Sequence, residues 1–164
     1  MDRDQRKELL EAIGFVAIIA SLIFVGIETR SSTEQAKLAN KSLLNDSYQN
    51  VIAAMGEMQL ILATNEEFHR LFTLGEKSPS ELSDEEWSRF SHFNFQRIGT
   101  WEYVYLGTLD NSISPALWEA FDPFYRSMSC LKGHKRFIEE NRHAHAPQFI
   151  AYLESEVLSN CVPE

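Results

Sequence analysis

Two Glu-x-x-His pairs, Glu66/His69 and Glu140/His143, are the residues whose types and spacing come closest to chemistry. Residues three apart share a helix face, so each pair could offer one oxygen and one nitrogen to a metal ion. Carboxylate-bound dimetal bundles combine two such pairs with a glutamate from each of two further helices. Glu57 and Glu102 stand in the right chain order for that role. Against the site, Glu57 precedes Glu66 by only nine residues, too few to place them on two separate bundle helices. Glu66 is accounted for as a first-turn residue behind an Asn65 cap. Glu140 sits in the polar run E-E-N-R-H, which suits a solvated face. His143-Ala144-His145, with His134, forms a second histidine set. An H-x-H pair converges on a strand, where alternate residues share a face, but ahead of Pro147 it is unconstrained. Glu66, His69, Glu102, Glu140 and His143 therefore stand as metal candidates only, and neither a cofactor nor a catalytic residue is expected.

Lys132, His134, Lys135 and Arg136 form the one basic cluster of an otherwise acidic region, with Gly133 at an expected helix start. A helix start can hold a small anion, although helix termination by Lys132 and solvation by the others explain the same residues. Asn94, Arg97 and Glu102 fall on or beside an aromatic helix face. Glu102, between Trp101 and Tyr105, needs a partner such as Arg97 or a tyrosine hydroxyl if it is buried. A buried polar network is expected there rather than a catalytic carboxylate. No G-x-S-x-G elbow is present, neither cysteine has a histidine close in sequence, and seven glycines leave no phosphate-cradling loop.

The elements that must position these residues follow from composition and pattern. Residues 1–30 carry four basic and five acidic side chains, and residues 31–164 carry 11 and 19. So acidic a domain is repelled by phosphate backbones and anionic lipid surfaces, which argues against nucleic acid as a partner. Cys130 and Cys161 are 31 apart, neither a zinc nor a CxxC spacing. They either form a disulfide in an oxidising compartment or remain buried thiols in a reducing one. Thiols are the preferred reading, because 11 Phe, 5 Tyr and 3 Trp promise a core without need of a staple.

Residues 12–27, A-I-G-F-V-A-I-I-A-S-L-I-F-V-G-I, contain no charge. A cleaved signal peptide is disfavoured by the mixed-charge start M-D-R-D-Q-R-K-E and by the lack of an A-x-A-like site. A core helix of a soluble bundle would keep a polar face. A membrane span suits the run: at ~1.5 Å per residue it reaches ~24 Å against ~30 Å of hydrocarbon, and Leu9 and Leu10 extend it. Contact with lipid is thus expected over residues 9–27. Arg3, Arg6 and Lys7 on one flank balance Arg30, Lys37 and Lys41 on the other, so the positive-inside rule gives no orientation. Gly14, Ala17 and Ser21 share a face that would allow close helix approach, or simply occur in a lone anchor.

Beyond the span, Leu44, Tyr48, Val51, Ile52, Met55, Met58 and Leu62 recur at helical spacing, predicting a helix over about 33–63. It either starts afresh at Ser31-Ser32-Thr33 or continues the span. A second helix is capped by Asn65 and stopped by Gly75. Ser83 and Glu86 make a capping box that opens an aromatic helix over about 84–108. Ser114-Pro115 starts the next, which Asp122-Pro123 is expected to kink or end. Two last pieces cover about 134–143 and 147–159. The fold class is all-α: an N-terminal transmembrane helix (1–30) followed by a small helical bundle (31–164).

The pieces S-L-I-F-V-G-I-E-T-R-S-S-T (21–33), W-E-Y-V-Y-L-G-T-L-D (101–110), P-A-L-W (115–118) and F-I-A-Y-L (149–153) resemble a widespread group of small bacterial proteins of unassigned role. The resemblance implies a single-pass protein of the bacterial inner membrane and carries over no catalytic residues. The expected function is a membrane-anchored domain for protein interaction or self-association. A metal-dependent enzyme built on the Glu/His set and a structural membrane subunit are the alternatives.

Overall fold

The computed structural model describes residues 3–161, without the side chains of residues 3–6 and 8–12. The side chains of Arg3, Arg6, Leu9 and Leu10, on which the flank balance and the length of the span partly rest, therefore lie outside the described residues. The chain is all-α, with six α-helices and no strand among the described residues. Two units divide it, residues 1–43 and 44–164.

Helix α1 runs from Arg3 to Thr64 without interruption. The Ser31-Ser32-Thr33 triplet is thus helix interior rather than a cap, with the Thr33 hydroxyl donating back to the Thr29 carbonyl at 2.8 Å. Such back-bonding lets a hydroxyl residue sit inside a helix without leaving its polar group unpaired. In the first unit every described side chain from Ile13 to Leu43 is exposed, including Phe15, Leu22 and Phe24. One helix among the described residues is long and apolar enough to cross a membrane.

The second unit is the helical bundle. Val51 and Met58 of α1 are buried, and Met55 and Leu62 are half-buried. Tyr48 and Ile52 of the same stripe stay exposed. Helix α2 (Glu66–Lys77) is capped by Asn65, whose side chain accepts from the Phe68 amide at 2.9 Å. Helix α3 (Asp84–Leu109) opens with the expected capping box, Ser83 and Glu86 bonding each other reciprocally. Helix α4 (Pro115–Ser129) runs through Pro123 instead of ending there. Phe121, Tyr125 and Met128 are buried on one face while Pro123 is exposed, so the carbonyl deprived of its N–H partner can be hydrated and packing outweighs the lost bond. Helix α5 (Lys132–Asn141) and α6 (Pro147–Tyr152) follow, α6 passing into a π turn and a 3-10 turn that ends at Asn160.

Two aromatic clusters make the core. One surrounds the fully buried Trp101, which stacks on Tyr125 at 5.4 Å and meets Phe149 edge-on. The other surrounds Phe90, with Phe72, Phe93, Leu71 and Met58. Gly75, expected as a stop, lies inside α2 because α5 crosses there. A Cβ on Gly133 would stand 2.0 Å from the Gly75 carbonyl oxygen, and one on Gly75 would stand 2.4 Å from the Phe90 ring. Only glycine lets these backbones approach so closely.

Cys130 and Cys161 form a disulfide, with Cα atoms 5.3 Å apart, which corrects the expectation of two thiols. Cys130 at the end of α4 and Cys161 after the last turn are brought side by side by the folding back of α5 and α6, a closeness that core size does not reveal.

Candidate functional site

The metal candidates do not converge. Glu66 and His69 lie exposed on α2, and His143 is exposed in the 3-10 turn after α5. Glu140 accepts from the Trp87 indole N–H at 2.9 Å and from Arg136 Nε at 2.8 Å. Among the described residues no group of three His, Cys, Asp or Glu side chains could hold a metal ion. The histidines of the second set also part company. His134 and His145 are buried at different glutamates, and His143 is in solvent. The basic cluster dissolves in the same way: Arg136 lies over the Trp87 ring at 3.9 Å, and His134 is core.

Glu102 is partly buried, as its place between Trp101 and Tyr105 suggests, but its partners are neither Arg97 nor a tyrosine. Its carboxylate accepts from the Ala146 amide at 2.5 Å, and His145 Nδ1 lies 2.6 Å away. The pair pins the start of α6 to α3, a structural duty. Asp122 plays a similar part between α4 and the end of α6. It pairs with Arg126 at 2.5 Å and accepts from the Tyr152 hydroxyl, while Arg126 also donates to the Glu156 carbonyl. Burial and the Asp122 carboxylate push the Tyr152 hydroxyl well above its ordinary range.

A third arrangement opens onto a cleft. Arg97 of α3 is buried, with its guanidinium 4.9 Å above the Phe72 ring. Its Nη1 has no hydrogen-bond acceptor; the nearest carboxylate oxygen, Glu76 Oε1, is 3.6 Å away. Its Nη2 rests against the Met128 thioether. The same Glu76 oxygen lies 3.2 Å from Nε2 of the fully buried His134. Burial lowers the affinity of both Arg97 and His134 for their protons, and for His134 the Glu76 carboxylate opposes that pull. Glu76 and Arg97 face a cleft of about 390 Å³ with Leu62, Phe72, Phe124 and Met128 among its apolar walls. Neither Glu76 nor the burial of His134 follows from the motifs singled out above. The available signal is helical spacing: His134 precedes Phe137 and Ile138 by three and four, and Glu76 follows Phe72 by four.

A separate groove runs between α1 and α3. Val51 and Ala54 face Phe95, Gly99 and Tyr103 across about 370 Å³ of almost wholly apolar space. Phe95 and Tyr103 are 45% and 49% exposed, a large aromatic surface to leave in water.

Compared with known proteins, the chain matches no family model, no curated protein and no solved structure.

Proposed function

We propose that the chain is a single-pass bacterial inner-membrane protein whose helical domain is a docking module, engaged in protein interaction or self-association. The membrane reading is supported by the run from Ile13 to Ile27, apolar on all sides and uncovered throughout. A helix satisfies its own backbone polar groups, so such a run is stable in hydrocarbon and costly in water. The disulfide adds an orientation. Such bonds persist in oxidising compartments, so the domain faces the extracytoplasmic side and the N-terminus the cytoplasm.

The observation that carries the docking reading is the α1/α3 groove with its exposed Phe95 and Tyr103. Aromatic side chains around an apolar cleft are the usual anchors of a protein contact. Gly99 supplies a clean test, because a Cβ there would meet nothing within 4 Å. A photo-cross-linking residue in place of Tyr103 is expected to give a discrete adduct in native membranes. Gly99→Trp, which fills the groove, is expected to abolish it while the thermal melt stays intact. A smear without discrete adducts, or an adduct indifferent to Gly99→Trp, sinks the docking reading. Accessibility of a C-terminal tag to protease in spheroplasts checks the orientation.

A further inference from the structure

The Arg97 cleft carries an inference independent of the docking groove. A guanidinium has five N–H donors in a rigid fork, and thioethers are weak acceptors. Buried polar groups are normally satisfied. Here the guanidinium has Glu76 only at ion-pair distance, Met128 sulfur on Nη2, an aromatic face beneath it, and no acceptor for Nη1. It is nonetheless held on the wall of an open cleft within the size range of small-molecule sites.

We infer that this cleft binds a small monocarboxylate with an apolar body, its carboxylate taken by Arg97 and its body lying among Leu62, Phe72, Phe124 and Met128. Carboxylate and guanidinium match as two parallel N–H···O bonds. Nη1 is closed to solvent and the buried Met128 side chain covers Nη2, so a carboxylate engages the guanidinium fork only when this flexible thioether side chain swings aside. Glu76 limits the ligand's charge. The cleft holds one buried arginine already shared with one carboxylate, and its only other basic lining residue is the exposed His69, so a monoanion, which leaves Glu76 to His134, suits it better than a dianion such as phosphate. The apolar walls exclude ligands that are polar throughout.

The test is isothermal titration calorimetry on the full chain in neutral phosphatidylcholine nanodiscs, with benzoate, phenylacetate, benzylamine and inorganic phosphate as probes. At least one of the two aromatic carboxylates is expected to bind saturably, at about 1 mM or tighter, and benzylamine and phosphate not at all. Gln59 lines the mouth of the cleft and is exposed, so Gln59→Trp closes the site without touching the core. It is expected to weaken carboxylate binding at least about tenfold, a loss of roughly 1.4 kcal/mol. Arg97→Gln is expected to abolish it, provided circular dichroism shows that variant folded. Absence of saturable binding by both carboxylates, equal binding of phosphate or benzylamine, or unchanged binding in Gln59→Trp overturns the inference. The docking groove is untouched by Gln59→Trp, so its own test stands or falls separately.

Discussion

Glu76 is the residue on which two buried side chains depend, since Arg97 and His134 both face its Oε1. Replacing it by Gln leaves an uncompensated guanidinium in the core. Breaking a buried pair in this way costs about 3–5 kcal/mol, and because Glu76 keeps one-fifth of its side chain in solvent the lower end, about 3 kcal/mol, is expected in chemical denaturation. The pH response belongs to this scale as well. Burial holds the folded-state pKa of His134 below that of the unfolded chain, despite the opposing Glu76 carboxylate and with Arg97 adding to the depression. At acid pH the unfolded state then binds more protons than the folded one. The stability contributed by neutral His134 is complete above the unfolded pKa of about 6.5 and falls as the pH drops below it. Melting temperatures measured from pH 7.5 to 5 are expected to decline, and His134→Phe to flatten the decline. From sequence, Arg97 stood out as a polar residue on an aromatic face, and it is buried. Its partner was not readable, because a contact between residues 76 and 97 depends on how α2 packs on α3, and periodicity within one helix carries no information about that.

At the scale of elements, caps and starts were readable because they are local: Asn65, Ser83 with Glu86, and Pro115 all stand where a helix begins. Breakers were less readable, because tertiary packing overrides them, although α3 ends within a residue of its expected close. Pro123 lies inside α4 with its ring in solvent, and Gly75 lies inside α2 where α5 crosses. The Gly75–Gly133 crossing makes a sharp prediction. Gly133→Ala drives a methyl into a carbonyl oxygen that cannot move without shifting a helix, so a loss of about 1–3 kcal/mol or more is expected. The same substitution at Gly56 meets nothing within 4 Å and is expected to raise stability by roughly 0.5–1 kcal/mol. A pair of denaturation curves separates packing from propensity. The disulfide joins the end of α4 to the last turn. Cys130→Ser is expected to cost about 2–4 kcal/mol, and wild-type protein to show no titratable thiol before reduction.

For the whole molecule, the all-α class was legible from the 3.6-residue recurrence of apolar side chains, and the bundle follows it. The separation into an apolar run and an acidic, aromatic-rich remainder was legible from local composition. What composition could not supply was which acids and histidines meet. The Glu-x-x-His spacing satisfied a motif that the fold then scattered, while Glu76–His134 and Glu102–His145, at separations of 58 and 43, obey no motif at all. The charge balance leads to one more expectation: the chain, at formal net charge −9, passes through a heparin column at 0.1 M salt without retention. The Cys130–Cys161 bond also closes residues 131–160, with α5 and α6, into a covalent ring. A protease that cuts once anywhere in that ring leaves both pieces on one molecule. A nicked population would run at full length on a non-reducing gel and fall apart only when reductant is added.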